Sequence, residues 1–138
     1  MVKNFFLKAY SLLYTSYLNY FYKNINIEGQ IILNGFFNIE VSKNAYLNIL
    51  GTISLRSNVL LAVRDNANLT IKDGCFFNRN TSIVCRKSIE IGKNSIFGEG
   101  VKIYDNDHKV VNGIVCHNKF NTKKIIIGDN CWVGNDVN

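Results

Sequence analysis

From about Ile25 onward, aliphatic residues return every sixth position. Ile25, Ile31 and Phe37 form one such row, and Ile27, Leu33, Ile39 and Ala45 form another. Val41, Leu47, Ile53 and Val59 interleave with Ile49, Leu55, Leu61 and Ala67. The register then slips and resumes at Ile71, Phe77 and Ile83, at Ile91, Phe97 and Ile103, and at Ile127 and Val133. Hairpin strands can mimic a short stretch of this pattern, but not one held for most of a chain. A short strand and a tight turn per six residues, three times round, predicts a triangular coil of about 18 residues. Stacked coils would pair as parallel ladders roughly 4.8 Å apart.

The turns require small residues or ones that tolerate positive φ. Asn is abundant, and Gly92, Gly98, Gly128 and Gly134 stand at equivalent places, so both are assigned to the turns. Asn can also ladder between stacked turns. Three segments carry the pattern most clearly: 71–77, 91–97 and 127–133. Each opens on Ile and has a small fifth residue, Cys75, Ser95 or Cys131. A crowded interior explains those small residues without chemistry.

The 138 residues contain no proline, which excludes PPII and collagen-like segments. A net charge of +6 and the pair Lys123-Lys124 are weak support for nucleic-acid binding. Of the four cysteines, none forms a C-x-x-C pair, and with two histidines in the chain a zinc site is not expected. The cysteines read as small buried hydrophobes in a reducing cytosol.

Residues 1–24 have a different period. Asn4, Lys8, Ser11, Thr15, Asn19 and Lys23 recur at helical steps, and Phe6, Tyr10, Leu13, Tyr17 and Phe21 do so on another side. This amphipathic helix is too interrupted to span a bilayer and lacks a signal-peptide cleavage site. It reads as a cap on the end of the repeat domain or as an interfacial membrane helix.

The repeat breaks between Ile103 and Ile125. Because 127 − 91 is 36, the stretch 104–124 is expected to replace about one coil, part of it leaving as an excursion loop. Both histidines, His108 and His117, lie there.

The repeat, the Asp105-Asn-Asp107-His108 loop and the following Ile127-Gly-Asp-Asn-Cys-Trp132-Val-Gly resemble the hexapeptide-repeat acyltransferases. The similar branch is that of galactoside, maltose and polysaccharide O-acetyltransferases. The likeness is good over residues 65–138 and rests on period alone upstream. It implies an all-β fold: a left-handed parallel β-helix over residues 25–138, with the N-terminal helix before it. It also implies a homotrimer using acetyl-CoA, working on a sugar or polysaccharide precursor at a cleft between subunits; the expected location is cytoplasmic, with the helix 1–24, if interfacial, making peripheral contact at the inner membrane face. No nucleic acid and no metal are implied.

By resemblance, His108 matches the catalytic base, which a poorly nucleophilic sugar hydroxyl requires at neutral pH. Asp105 or Asp107 is expected to orient its imidazole. Asn78 matches an acceptor-touching position, Trp132 a tryptophan beside the cleft, and Asn135 a position near CoA; Phe120 is expected to line the acceptor side. Arg86 stands where the branch can carry an acidic residue, which implies an anionic acceptor. Family members continue for several repeats past the tryptophan, whereas this sequence stops at Asn138. That implies a shortened donor site, and leaves a non-catalytic repeat scaffold as the competing reading.

Overall fold

The computed structural model describes residues 2–138, with side chains from Phe6 onward; Met1 and the Asn4 side chain of the polar stripe lie outside the described residues. Helix α1 (Val2–Phe21) is followed by a parallel β-solenoid of about four turns. The first rung holds β1 (Ile25–Ile27), β2 (Ile31–Asn34) and β3 (Phe37–Val41). The second holds β4 (Tyr46–Leu50), β5 (Ile53–Arg56) and β6 (Val59–Val63). The third holds β7 (Asn68–Lys72), β8 (Phe76–Phe77) and β9 (Ser82–Cys85), and the fourth β10 (Ser88–Ile91), β11 (Ile96–Phe97) and β12 (Lys102–Tyr104). An antiparallel hairpin of β13 (Asn106–Val111) and β14 (Ile114–Thr122) leaves the wall before β15 (Ile125–Ile127) and β16 (Trp132–Val133) resume it. The first sheet stacks β1-β4-β7-β10-β15, the second β2-β5-β8-β11-β16 and the third β3-β6-β9-β12.

The rungs are longer than the six-residue step implies. Ile25, Leu47, Leu69, Ile89 and Ile125 stack in register, giving steps of 22, 22, 20 and 36 residues (47 − 25, 69 − 47, 89 − 69, 125 − 89). Six residues separate the first two faces and the next two, as in Ile25, Ile31 and Phe37, but the third corner takes more chain. A coil of 18 is therefore not formed. The final step spans one rung, not two: the excursion is an insertion of 16 residues (36 − 20) and replaces no coil.

The interior is a stack of aliphatic side chains from all three sheets, among them Ile31, Leu47, Leu61, Leu69, Ile83 and Ile91, all essentially inaccessible. Phe77 and Phe97 lie face to face, with centroids 4.8 Å apart and an interplanar angle of 4°, so their rings repeat at the rung spacing. The small fifth residues point inward and bind the next rung: Cys75 Sγ donates to the Gly92 carbonyl at 3.1 Å and Ser95 Oγ to that of Gly128 at 2.9 Å.

Asn takes the left-handed corner positions, as at Asn58, Asn66, Asn80, Asn94 and Asn130. Side-chain ladders join Asn58 to Asn80 at 3.2 Å and Asn94 to Asn130 at 3.4 Å. Of the two reasons expected for glycine, small size is the one that applies at Gly92 and Gly98. Gly92 and Gly98 are not among the positive-φ residues. A Cβ on Gly92 would lie 2.4 Å from the Gly128 backbone, and one on Gly98 2.4 Å from Asn135 Oδ1. They are glycine because the next rung leaves no room for a side chain.

The N-terminal helix packs by its polar stripe. The first rung has no rung beneath it, so β1 and β2 present unpaired backbone groups. Ser11 Oγ accepts from Leu33 N–H at 3.0 Å, and Thr15 Oγ1 accepts from Ile31 N–H at 3.1 Å. Asn19 bonds both the N–H and the carbonyl of Ile27, each at 2.9 Å. Each hydroxyl also donates to the helix carbonyl four residues back. Three polar residues at a spacing of four thus stand in for a missing strand, and the aromatic stripe is left facing away.

Candidate functional site

The hairpin that carries His108 is built locally. Asn112-Gly113 sits between Val110-Val111 and Ile114-Val115, with φ of 50° and 77°, the two-residue turn that favours this dipeptide. The Asn-Gly signal was legible in the sequence and identifies the excursion as a hairpin. His108 pairs across it with Phe120, and a bulge follows at Lys109.

The hairpin's neck is clamped by Asp105. This residue is buried, and its carboxylate accepts from the N–H groups of Arg86, Lys87 and Ser88 at 2.7, 2.7 and 2.8 Å. The reason lies in the stacking. Ser42, Arg64 and Arg86 occupy one corner position in successive rungs. Ser42 N–H donates to the Val63 carbonyl and Arg64 N–H to that of Cys85, each in the next rung. Above Arg86 the chain departs into the hairpin, and the Asp105 side chain supplies the acceptor instead. Its backbone carbonyl also takes Lys123 N–H at 2.9 Å, which closes the neck. Burial, and next the Asp105 charge, push the nearby Cys85 thiol up to about 12.

Asp105 is therefore committed to the corner. Asp107, also expected as an orienting group, is exposed and makes no side-chain hydrogen bond or ion pair among the described residues. The imidazole is held by a backbone group: His108 Nδ1 lies 3.1 Å from the Cys116 carbonyl oxygen. A carbonyl only accepts, so this pairing places a proton on Nδ1, and in the neutral imidazole Nε2 then carries the lone pair. A backbone carbonyl has no residue signature, so sequence reading could not have found it.

Phe120 joins two of the expected residues. Its ring centroid is 4.7 Å from that of His108, and the Arg86 guanidinium carbon lies 3.7 Å from the same centroid. Stacking on the ring leaves Arg86 Nε buried without a hydrogen-bond partner. Arg86 and Phe120 line a shallow cleft of about 300 Å³ with Ser42, Arg64, Asp65 and Thr122. Arg64 is tied to Glu40 at 2.8 Å.

The other expected residues lie elsewhere. Asn78 sits at the corner between the second and third sheets, where its Oδ1 accepts from Arg79 N–H at 2.9 Å. Asn135 is two rungs above at that corner, accepting from Glu99 N–H at 3.0 Å. Trp132 projects from the second sheet and is 81 % exposed. The third sheet stands between these and the corner from which the hairpin departs. One chain thus brings together His108, Phe120 and Arg86, but not Asn78, Trp132 or Asn135 with them. His117 is exposed on the hairpin and has no part in the arrangement.

No group of three or more His, Cys, Asp or Glu side chains able to hold a metal ion occurs among the described residues. Compared with known proteins, the chain matches no family model, no curated protein and no solved structure.

Proposed function

We propose that this protein is a CoA-dependent O-acetyltransferase acting on a sugar hydroxyl, with His108 as general base, and that its solenoid is a left-handed hexapeptide β-helix. The observation that carries the reading is the His108–Cys116 pairing, which orients the ring on a braced hairpin and, in the neutral imidazole, puts the lone pair on Nε2. In the reaction Nε2 takes the acceptor hydroxyl proton as the oxygen attacks the thioester carbonyl. The tetrahedral intermediate collapses with loss of the CoA thiolate, which recovers the proton from the imidazolium. The Cys116 carbonyl keeps the ring in place while its charge changes.

Arg86 on Phe120 places a permanent positive charge one ring away from that base. This favours an anionic acceptor, such as a uronic or sialic-type or phosphate-bearing sugar of a surface polysaccharide. The division of site residues between two corners favours assembly. In a homotrimer the hairpin of one copy can face Asn78, Trp132 and Asn135 of the next, which completes an acetyl-CoA and acceptor cleft. Such chemistry belongs to the cytoplasm, where acetyl-CoA is made.

The test is acceptor-dependent release of free thiol from acetyl-CoA. His108→Ala should lower it by about 10²- to 10⁴-fold, and Arg86→Glu should shift preference from anionic toward neutral sugars. Light scattering should give a trimer. A protein that neither binds CoA nor releases thiol is a solenoid scaffold, and the enzymatic reading is then abandoned.

A further inference from the structure

We infer that α1 is an interfacial anchor that lays the closed end of the solenoid on an anionic lipid surface. The polar stripe of the helix is consumed by the first rung through Ser11, Thr15 and Asn19. The helix cannot roll over to bury its other side without breaking those bonds. Leu13, Tyr20 and Phe21 therefore stand 71, 80 and 64 % exposed, with Tyr10 and Tyr17 about half exposed between them. These positions form one stripe along a helix of 20 residues, roughly 30 Å long. Rings touch along it, Tyr17 with Phe21 at 4.9 Å and Tyr20 with Phe21 at 5.0 Å. Phe36, 88 % exposed, lies beside the same face, lining a groove with Tyr10 and Tyr14.

Charge selects the occupant. The sequence holds no acid before Glu28, while Lys3, Lys8 and Lys23 are basic. Lys8 and Lys23 are exposed, and Lys23 shares a cleft with Lys43, Phe21, Tyr22 and Tyr46 at the end of the helix. A second copy would set lysines against lysines in either orientation. An anionic bilayer supplies the opposite sign, and its headgroup region suits tyrosines and lysines that ring an apolar stripe. No helix among the described residues is long and apolar enough to cross a membrane, so this one lies on the surface.

The experiment is flotation of the full chain with phosphatidylcholine vesicles, with and without phosphatidylglycerol. Binding is expected to the anionic vesicles, weakened by salt. The double variants Leu13→Asp/Tyr20→Asp and Lys8→Glu/Lys23→Glu should each weaken it by about tenfold or more. All four side chains are exposed, so circular dichroism and the thermal midpoint should be unchanged. Absence of flotation, or equal flotation with both vesicle types, overturns the inference. So does a dimer in light scattering that Leu13→Asp dissolves while vesicle binding is absent, since the stripe's partner is then a second copy.

Discussion

The solenoid wall and the hairpin 106–122 are both β structure, but they are held by different means. In the wall the strands of the middle rungs are sandwiched between rungs above and below, and their inward side chains are inaccessible. The hairpin has one partner per strand, and nearly every residue in it is exposed. The wall is over-determined by burial. The hairpin rests on an Asn-Gly turn, one buried aspartate at its neck and the stack of Phe120 on Arg86. Stability and chemistry are thereby separated: residues that hold the fold do not face solvent, and the candidate base is held by few contacts.

Substitutions can break that separation or sharpen it. Phe77→Ala removes half of the stacked ring pair and leaves a cavity in a closed core. It should cost about 3–5 kcal/mol, read as a loss in denaturant midpoint. Asp105→Ala strands three corner N–H groups and opens the neck. About 2–4 kcal/mol is expected, with loss of any His108-dependent activity as well; a drop in activity at unchanged stability would mean that Asp105 acts in the chemistry after all. Phe120→Ala should cost under about 1 kcal/mol, because one face of the hairpin is already in water, yet it should change acceptor preference by freeing Arg86.

Thiol labelling divides the molecule along the same line. Cys116 and Cys131, partly exposed, should react with an alkylating reagent, whereas Cys75 and Cys85 should resist until the chain unfolds. The smallest effect concerns Glu90, whose carboxyl is held below the usual range first by Lys72 and then by Lys124. A lowered folded value means that its contribution is present above the ordinary glutamate pKa and is lost as pH falls through the folded one. Lys124→Gln should reduce that acid sensitivity slightly in a pH series of melting curves, by well under about 1 kcal/mol for a surface pair.

How much could be read beforehand varied by type of contact. Core rows, corner asparagines and the small fifth residues were legible because each depends on a local repeat and on side-chain size. For the corner glycines the sequence leaves two causes open, small size and positive φ; size applies at Gly92, because the crowding there comes from Gly128, 36 positions away, which no local pattern shows. Asp105 was singled out beside His108 in the chain, but its partners lie at 86–88, a rung below. The break in the repeat implies only a loop, whereas the Asn112-Gly113 dipeptide within it marks a hairpin.

By itself the sequence determined a stacked parallel coil, because aliphatic periodicity and turn-tolerant residues admit few other folds, and it determined that α1 has two unlike faces. Tertiary structure decided which face turns inward. Apolar stripes ordinarily seek the core, but the end of a solenoid offers unpaired backbone N–H and C=O groups, and only polar side chains satisfy those. Rung length, the inserted rather than substituted excursion, and the carbonyl that orients His108 were likewise settled by neighbours distant in sequence, where no local pattern can record them.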